Sequence, residues 1–189
     1  MTGPSRLELE SFRDATVPDL VGEGVRLLFV GINPGLWTAA VQTHFAHPGN
    51  RFYPALLRAG IIDWPIDAAA GMTEHDRERF VARGLGISNL VHRATARADE
   101  LSRDEQRAGA ERLADDVRRW RPQVVAMAGV TAYRTAFRRP KAVMGKQADT
   151  LGGAELWVVP NPSGLNAHET VATLAEAYAR PAQAAGLLT

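Results

Sequence analysis

Val25-Arg26-Leu27-Leu28-Phe29-Val30, followed by Gly31-Ile32-Asn33-Pro34-Gly35, decides the fold. The first six residues are an aliphatic, β-branched run between Gly24 and Gly31, the pattern of a central parallel strand covered on both faces. The five that follow are turn formers around a single polar side chain, Asn33. The same arrangement recurs near the other end, where Leu156-Trp157-Val158-Val159 runs into Asn161-Pro162-Ser163-Gly164-Leu165-Asn166. If both strands belong to one parallel sheet, both polar segments emerge at its carboxyl edge, where open α/β sheets place their ligand crevice.

Outward from that pair, residues 84–91 and Val124-Val125-Ala126-Met127-Ala128 read as two further strands. Helical spacing joins Phe52, Leu56, Leu57 and Ala59 up to a stop at Gly60, and Thr73 with Asp76 caps a second helix within residues 63–83. Ser102 with Glu105 opens a longer helix whose Ala110, Leu113, Ala114, Val117 and Trp120 form one apolar stripe, ended by Pro122. Residues 131–137 predict a short helix, and residues 170–180 a last one bearing Val171, Leu174, Ala175 and Tyr178. Strands alternating with helices predict an α/β fold: a three-layer α/β/α domain with a central, mostly parallel sheet and right-handed crossovers. Residues 1–16 are expected to be a flexible N-terminal arm or short helix outside the core, and residues 17–189 a single domain.

The 189 residues are long enough to bury a full core, 46% are hydrophobic, and the formal net charge is +1. With no cysteine, disulfides, cysteine nucleophiles and thiolate-held zinc or iron–sulfur clusters are excluded. The five histidines show no paired metal-binding spacing, so no metal and no cofactor is expected. Neither a secretory leader nor a membrane-spanning run is visible, which points to a soluble cytoplasmic protein with no membrane partner. Basic residues cluster at Arg93, Arg97, Arg103 and Arg107 and again at Arg134, Arg138, Arg139, Lys141 and Lys146. Each run reads either as a solvated mixed-charge face or as a local phosphate-binding patch.

Asn33 would be held on a rigid turn, with flanking glycines letting backbone N–H groups approach a ligand. A carboxamide is a poor base, but it can accept a hydrogen bond from water and donate one to substrate, which is a positioning role. Asp99 lies after a strand and just before the capped helix. It reads either as an ordinary loop carboxylate or as a group leaning into the crevice to orient water or stabilise positive charge. Arg51 could dock a phosphate or cap the crevice, and His47 reads as a structural imidazole.

Gly31 to Gly35, Phe45-Ala46-His47-Pro48-Gly49-Asn50-Arg51-Phe52 and Asn161 to Asn166, in that order, closely resemble the mismatch-specific uracil-DNA glycosylases, relatives of thymine-DNA glycosylase. The likeness runs from about Val17 to Tyr178, and Leu90-Val91, Gly145-Lys146-Gln147 and Trp157-Val158 fall in matching places. Asn33 and Asn161 match the mismatch-specific branch, where the classical uracil enzymes carry Asp and His. The resemblance implies a uracil-DNA glycosylase fold and hydrolysis of the N-glycosidic bond of uracil, preferably opposite guanine, with ethenocytosine and thymine as further substrates. It implies a bacterial base-excision repair enzyme, monofunctional and monomeric, acting at the nucleoid on double-stranded DNA with a mismatched or damaged pyrimidine. By the same likeness, Asn33 positions the attacking water, Phe45 stacks on the flipped base, and Ile32 and Gly35 offer backbone amides to it. Thr38 and Asn89 line the base pocket. Leu165 is the wedge that fills the emptied stack, with Ser163, Gly164 and Asn166 around it and facing the opposite base. Trp37 and Ala167 stand where relatives carry a small residue and a basic one.

Two rival readings come from other classes. A mismatch-sensing DNA-binding protein would keep Leu165 and the basic runs but has no use for Asn33. A nucleotide-binding α/β enzyme would need a G-x-G-x-x-G loop after the first strand, which Gly31 to Gly35 is not.

Overall fold

A computed structural model describes residues 4–189. Five strands, β1 (Leu27–Gly31), β2 (Leu85–Asn89), β3 (Val124–Ala128), β4 (Gly145–Leu151) and β5 (Ala154–Val159), form one sheet in the order β2-β1-β3-β5-β4. The first three and β5 pair in parallel, and β4 joins the edge antiparallel to β5. The chain leaves β1 toward β2 on one side and returns to β3 on the other. This reversal puts the topological switch, and hence the natural crevice, at the carboxyl ends of β1 and β3.

Every residue of β1, β2 and β3 is buried; β1 and β3 are the unbroken apolar runs that predict this, while β2 buries Ser88 and Asn89 as well. Their side chains alternate between two cores. Leu27, Phe29, Leu85, Ile87, Val124 and Ala126 face α3 (Phe52–Arg58) and α7 (Val171–Ala184), through Phe52, Leu56, Leu174 and Tyr178. Leu28, Val30, Val125, Met127, Leu156 and Val158 face α5 (Arg103–Trp120) and α6 (Val130–Ala136), through Leu113, Val117 and Tyr133. The architecture is the three-layer α/β/α sandwich with a mostly parallel sheet.

The capping boxes at Thr73, opening α4 (Glu74–Ala82), and at Ser102, opening α5, form with both reciprocal hydrogen bonds. The last helix runs past the expected end at residue 180 and through Pro181 to Ala184. Proline there removes one helical hydrogen bond, but Ala182 and Ala185 are fully buried behind it, and their packing carries the helix on. Strand β4 and the short helix α2 (Leu36–Val41) were not anticipated. The strand is largely exposed and polar, with no apolar period to announce it.

Residues 1–3 of the expected arm lie outside the described residues. The rest holds a short helix, α1 (Arg6–Glu10), capped by Ser5, with Leu9, Phe12 and Ala15 against a small cluster of Val17, Leu36, Ala39 and Ala94. The following stretch runs beside β2 and the segment after it: the Asp14 N–H donates to the Ala94 carbonyl at 2.9 Å, the Ala94 N–H donates to the Ala15 carbonyl at 2.8 Å, and Leu20 and Ile87 exchange backbone hydrogen bonds of 2.8–2.9 Å. It thereby covers an otherwise open sheet edge. Among the described residues, no helix is long and apolar enough to cross a membrane.

Candidate active site

The turn after β1 is held by Asn33 itself. Its amide nitrogen donates to the carbonyls of Pro34 and Arg93, each at 3.1 Å, and to the hydroxyl of Thr95 at 2.7 Å. Both amide protons are therefore spent inside the protein, and donation to a substrate is not left to this group. The side-chain oxygen has no donor among the described residues, so Asn33 presents a fixed acceptor. Thr95 is fixed in turn by its own hydroxyl, which donates to the Arg97 carbonyl at 2.8 Å, and by its N–H on the Pro34 carbonyl at 3.1 Å. The backbone N–H groups of Ile32 and Gly35 likewise have no acceptor among the described residues.

Beneath the turn, Gly31 is bare because its surroundings leave no room. A Cβ there would lie 2.6 Å from the Asn89 side-chain oxygen and 3.2 Å from the Phe45 ring. Phe45 adopts a left-handed backbone (φ 55°) and stacks on Phe52 with ring centroids 4.2 Å apart. A non-glycine residue with positive φ is uncommon and is held there by its surroundings. One such hold is the Thr38 hydroxyl, which accepts from the neighbouring Ala46 N–H at 3.3 Å. Asn89, at the end of β2, is buried, and its amide nitrogen meets His44 Nδ1 at 3.0 Å. His44 Nε2 lies 2.8 Å from the Pro18 carbonyl, which fixes the tautomer: Nε2 carries the proton and Nδ1 accepts from Asn89. Burial pushes the His44 pKa below its ordinary value, keeping the ring neutral. The outcome is that Asn89 turns its oxygen toward Gly31 and Phe45.

The second loop is organised by small polar bonds. The Asn161 side-chain oxygen accepts from the Ser163 N–H at 3.0 Å, and the Ser163 hydroxyl accepts from the Leu165 N–H at 3.2 Å. The Asn166 amide donates back to the Asn161 carbonyl at 3.1 Å. Leu165 at the tip is 94% exposed, against a fully buried β1. The loop leans on the segment before α3: a Cβ on Gly164 would sit 2.6 Å from the Gly49 carbonyl oxygen.

The two motifs meet at the switch point. Gly129, which follows β3, donates its N–H to the Val159 carbonyl at 2.9 Å and has Ile32 on one side and Asn161 on the other. Asp99 lies apart from this centre, on a 3-10 turn (Ala98–Glu100), with its side chain 65% exposed and its carboxylate 2.7 Å from Arg97. Among the described residues its link to Asn33 runs through Arg97 and the Thr95–Arg97 stretch, where the Arg97 carbonyl accepts from the Thr95 hydroxyl that meets the Asn33 amide. That stretch is pinned by Arg93, which contacts Glu105, Asp14 and the Glu100 carbonyl. The Arg93 guanidinium, with the Ser102 N–H, holds the Glu105 carboxyl down to about 2.

Three residues essential to this geometry were not assigned these roles from the sequence. Thr95 and His44 carry no motif, and Arg51 donates to the backbone carbonyls of Gly164, Asn166 and Glu169, which no sequence pattern reveals. Among the described residues, no group of three or more metal-ligating side chains converges anywhere. Residues 18–181 match the uracil DNA glycosylase superfamily. The fold is similar to that of a solution NMR structure described as a "putative uracil DNA glycosylase" from Methanosarcina acetivorans, with a TM-score of 0.60 and 16% identity over 92% of this chain and 98% of that one. With a carboxyl-edge crevice built from both motifs and a family match across most of its length, the chain belongs to the uracil DNA glycosylase superfamily.

Proposed function

We propose that this protein is a monofunctional DNA glycosylase that removes uracil, preferably opposite guanine, and accepts ethenocytosine or thymine at the same site. The observation that carries the reading is the Asn33 amide: three internal acceptors take its nitrogen, so its oxygen is a fixed, uncharged acceptor beside the base-binding turn. That is the form a water-positioning group needs, since it loses no hydrogen bond of its own when it accepts from water.

In the proposed reaction the target nucleotide leaves the stack, a mismatched base being the least costly to extrude. Its pyrimidine lies along Phe45 with one edge on the Ile32 and Gly35 amides, which stabilise the negative charge that develops as the C1′–N1 bond breaks. The Asn89 oxygen, oriented by His44, accepts from the imide N–H at position 3 of uracil or thymine. Water held by Asn33 adds its oxygen to C1′, its proton passes to solvent or to the departing base, and an abasic site remains. Leu165 fills the gap in the duplex, with Ser163, Gly164 and Asn166 beside the unpaired guanine. Asp99, apart from this centre and paired with Arg97, would have to swing in to balance positive charge on the sugar, and we assign it that secondary part.

The test is base release from G·U, A·U and G·T duplexes and from single-stranded uracil DNA by the wild type, Asn33→Ala and Asp99→Ala. The wild type releases uracil fastest from G·U. Asn33→Ala loses roughly 100-fold or more, the scale of a group that handles the reacting water, with DNA affinity retained. No release of uracil from any substrate by the wild type overturns the enzyme reading, and full activity in Asn33→Ala removes its assigned role. Unchanged turnover in Asp99→Ala discards the carboxylate, and equal rates on A·U and G·U discard the mismatch preference.

A further inference from the structure

Arg51 belongs to the segment before α3, far in sequence from the Leu165 loop, yet all of its side-chain hydrogen bonds run to that loop. One guanidinium nitrogen donates to the Gly164 carbonyl at 3.1 Å and to the Asn166 carbonyl at 3.2 Å, and the other terminal nitrogen donates to the Glu169 carbonyl. Its backbone N–H donates to the Pro162 carbonyl at 3.0 Å. The four acceptors bracket Leu165 on both sides. A planar fork that meets several carbonyls at once fixes orientation as well as distance, and its charge strengthens each bond. The loop's own bonds involve only small polar groups, and Leu165 has no packing to hold it.

We propose that Arg51 is a positioning residue for the wedge: it sets the height and direction of Leu165 and so couples the base-binding segment 45–52 to opening of the duplex. The proposal rests on Leu165 acting as the wedge. The same segment carries Phe45, at the base pocket, and Gly49, which supports Gly164, so one rigid piece of chain touches both halves of the site. Among the described residues Arg51 has no carboxylate partner, and the acceptors of both its terminal nitrogens are backbone oxygens, which favours this role over that of a phosphate anchor.

The experiment is a double-mutant cycle on Arg51→Met and Leu165→Ala. Single-turnover uracil release and the fluorescence of 2-aminopurine placed next to the uracil are both read on a G·U duplex. Losing charged hydrogen bonds that orient the tip is expected to slow flipping by about 10-fold to 100-fold in Arg51→Met. In the Leu165→Ala background the same change should have almost no further effect, because the side chain it positions is already gone. Arg51→Lys, which keeps the charge but not the fork, should fall between the two and serves if Arg51→Met does not fold. Equal losses from Arg51→Met with and without Leu165 overturn the proposal. So does a salt dependence of DNA binding shallower by about one phosphate contact, which would make Arg51 a backbone anchor. If Leu165→Ala alone changes nothing, the wedge itself fails and the proposal falls with it, an outcome distinct from the other two.

Discussion

The turn at Asn33 and the loop at Leu165 begin alike, each leaving the carboxyl end of a buried parallel strand, and they end in opposite conditions. Asn33 is cross-tied within its own neighbourhood to Pro34, Arg93 and Thr95, while Leu165 stands 94% exposed on a loop fastened by a distant arginine. The difference is what the two proposed roles would require. A group that places a reacting water gains from having no freedom left to lose. The proposed wedge would enter another molecule, so its apolar surface would stay in water until DNA covered it, and its stiffness would have to come from below.

The sharpest way to break that contrast uses the glycine under each region. Gly31→Ala puts a methyl 2.6 Å from the Asn89 oxygen and 3.2 Å from Phe45, so the proposed base pocket must rearrange. Displacements of that order cost about 100-fold in rate, and the loss should be equal on duplex and single-stranded uracil DNA. Gly164→Ala instead drives a methyl against the Gly49 carbonyl, 2.6 Å away, and splays the Leu165 loop from its support. Release from G·U duplex should fall while release from single strands persists. If Gly164→Ala harms both substrates alike, the two regions do not divide the work as described.

How much of this was legible in the sequence depends on the kind of interaction. The buried strands carry their own signature, because Leu27 to Val30 and Val124 to Ala128 must be apolar on both faces. The cap at Ser102 with Glu105 is a full capping-box pattern and that at Thr73 with Asp76 a weaker one, yet both are legible, since both partners of a capping box lie within three residues. Strand β4 was not, because an edge strand exposed to solvent can be as polar as Lys146-Gln147 and still pair through its backbone. At the site, Asn33 was visible as the odd polar residue in a turn formula. What holds it was invisible, because Thr95 arrives through the fold rather than through spacing. Arg51 likewise bonds to backbone carbonyls, which look the same under every residue.

Thr95→Val sharpens the comparison at smaller cost. Valine keeps the shape but removes the acceptor at 2.7 Å from the Asn33 amide, leaving the two carbonyls at 3.1 Å and a freer oxygen above them. Loss of one neutral hydrogen bond is worth about 1 kcal/mol, so single-turnover release should slow by roughly 5-fold to 10-fold. Affinity for duplex containing an abasic site should not change, since the wedge loop is untouched. Weaker abasic-site binding with normal turnover would place Thr95 in the wrong region.

The smallest effect comes from acid and falls on the first region through His44. Its ring is buried with Nε2 on the Pro18 carbonyl and Nδ1 accepting from Asn89, and burial lowers its pKa. A proton on Nδ1 would face the Asn89 amide donors as well as lose hydration, so the folded protein resists taking it up. The unfolded chain protonates this histidine at about 6.5. Below that pH the unfolded state binds a proton that the folded state refuses, so stability declines as pH falls from there toward the lowered folded value. Asp19 and Arg77 act on the same ring, Asp19 favouring the charged form and Arg77 opposing it, as does His92. The Asp19 carboxyl itself is held below its ordinary 3.8, because contacts from His92 and Ser88 outweigh its burial, so it contributes only at still lower pH. Melting temperatures measured between pH 7 and 5 should therefore slope downward in the wild type and flatten in His44→Gln, whose amide cannot titrate. Identical slopes in the two proteins would mean that acid reaches the fold elsewhere. A flattened slope, with uracil release surviving in His44→Gln wherever Asn89 keeps its orientation, would show that the Asn89 side of the site is secured from inside the core, through a buried imidazole that must stay neutral.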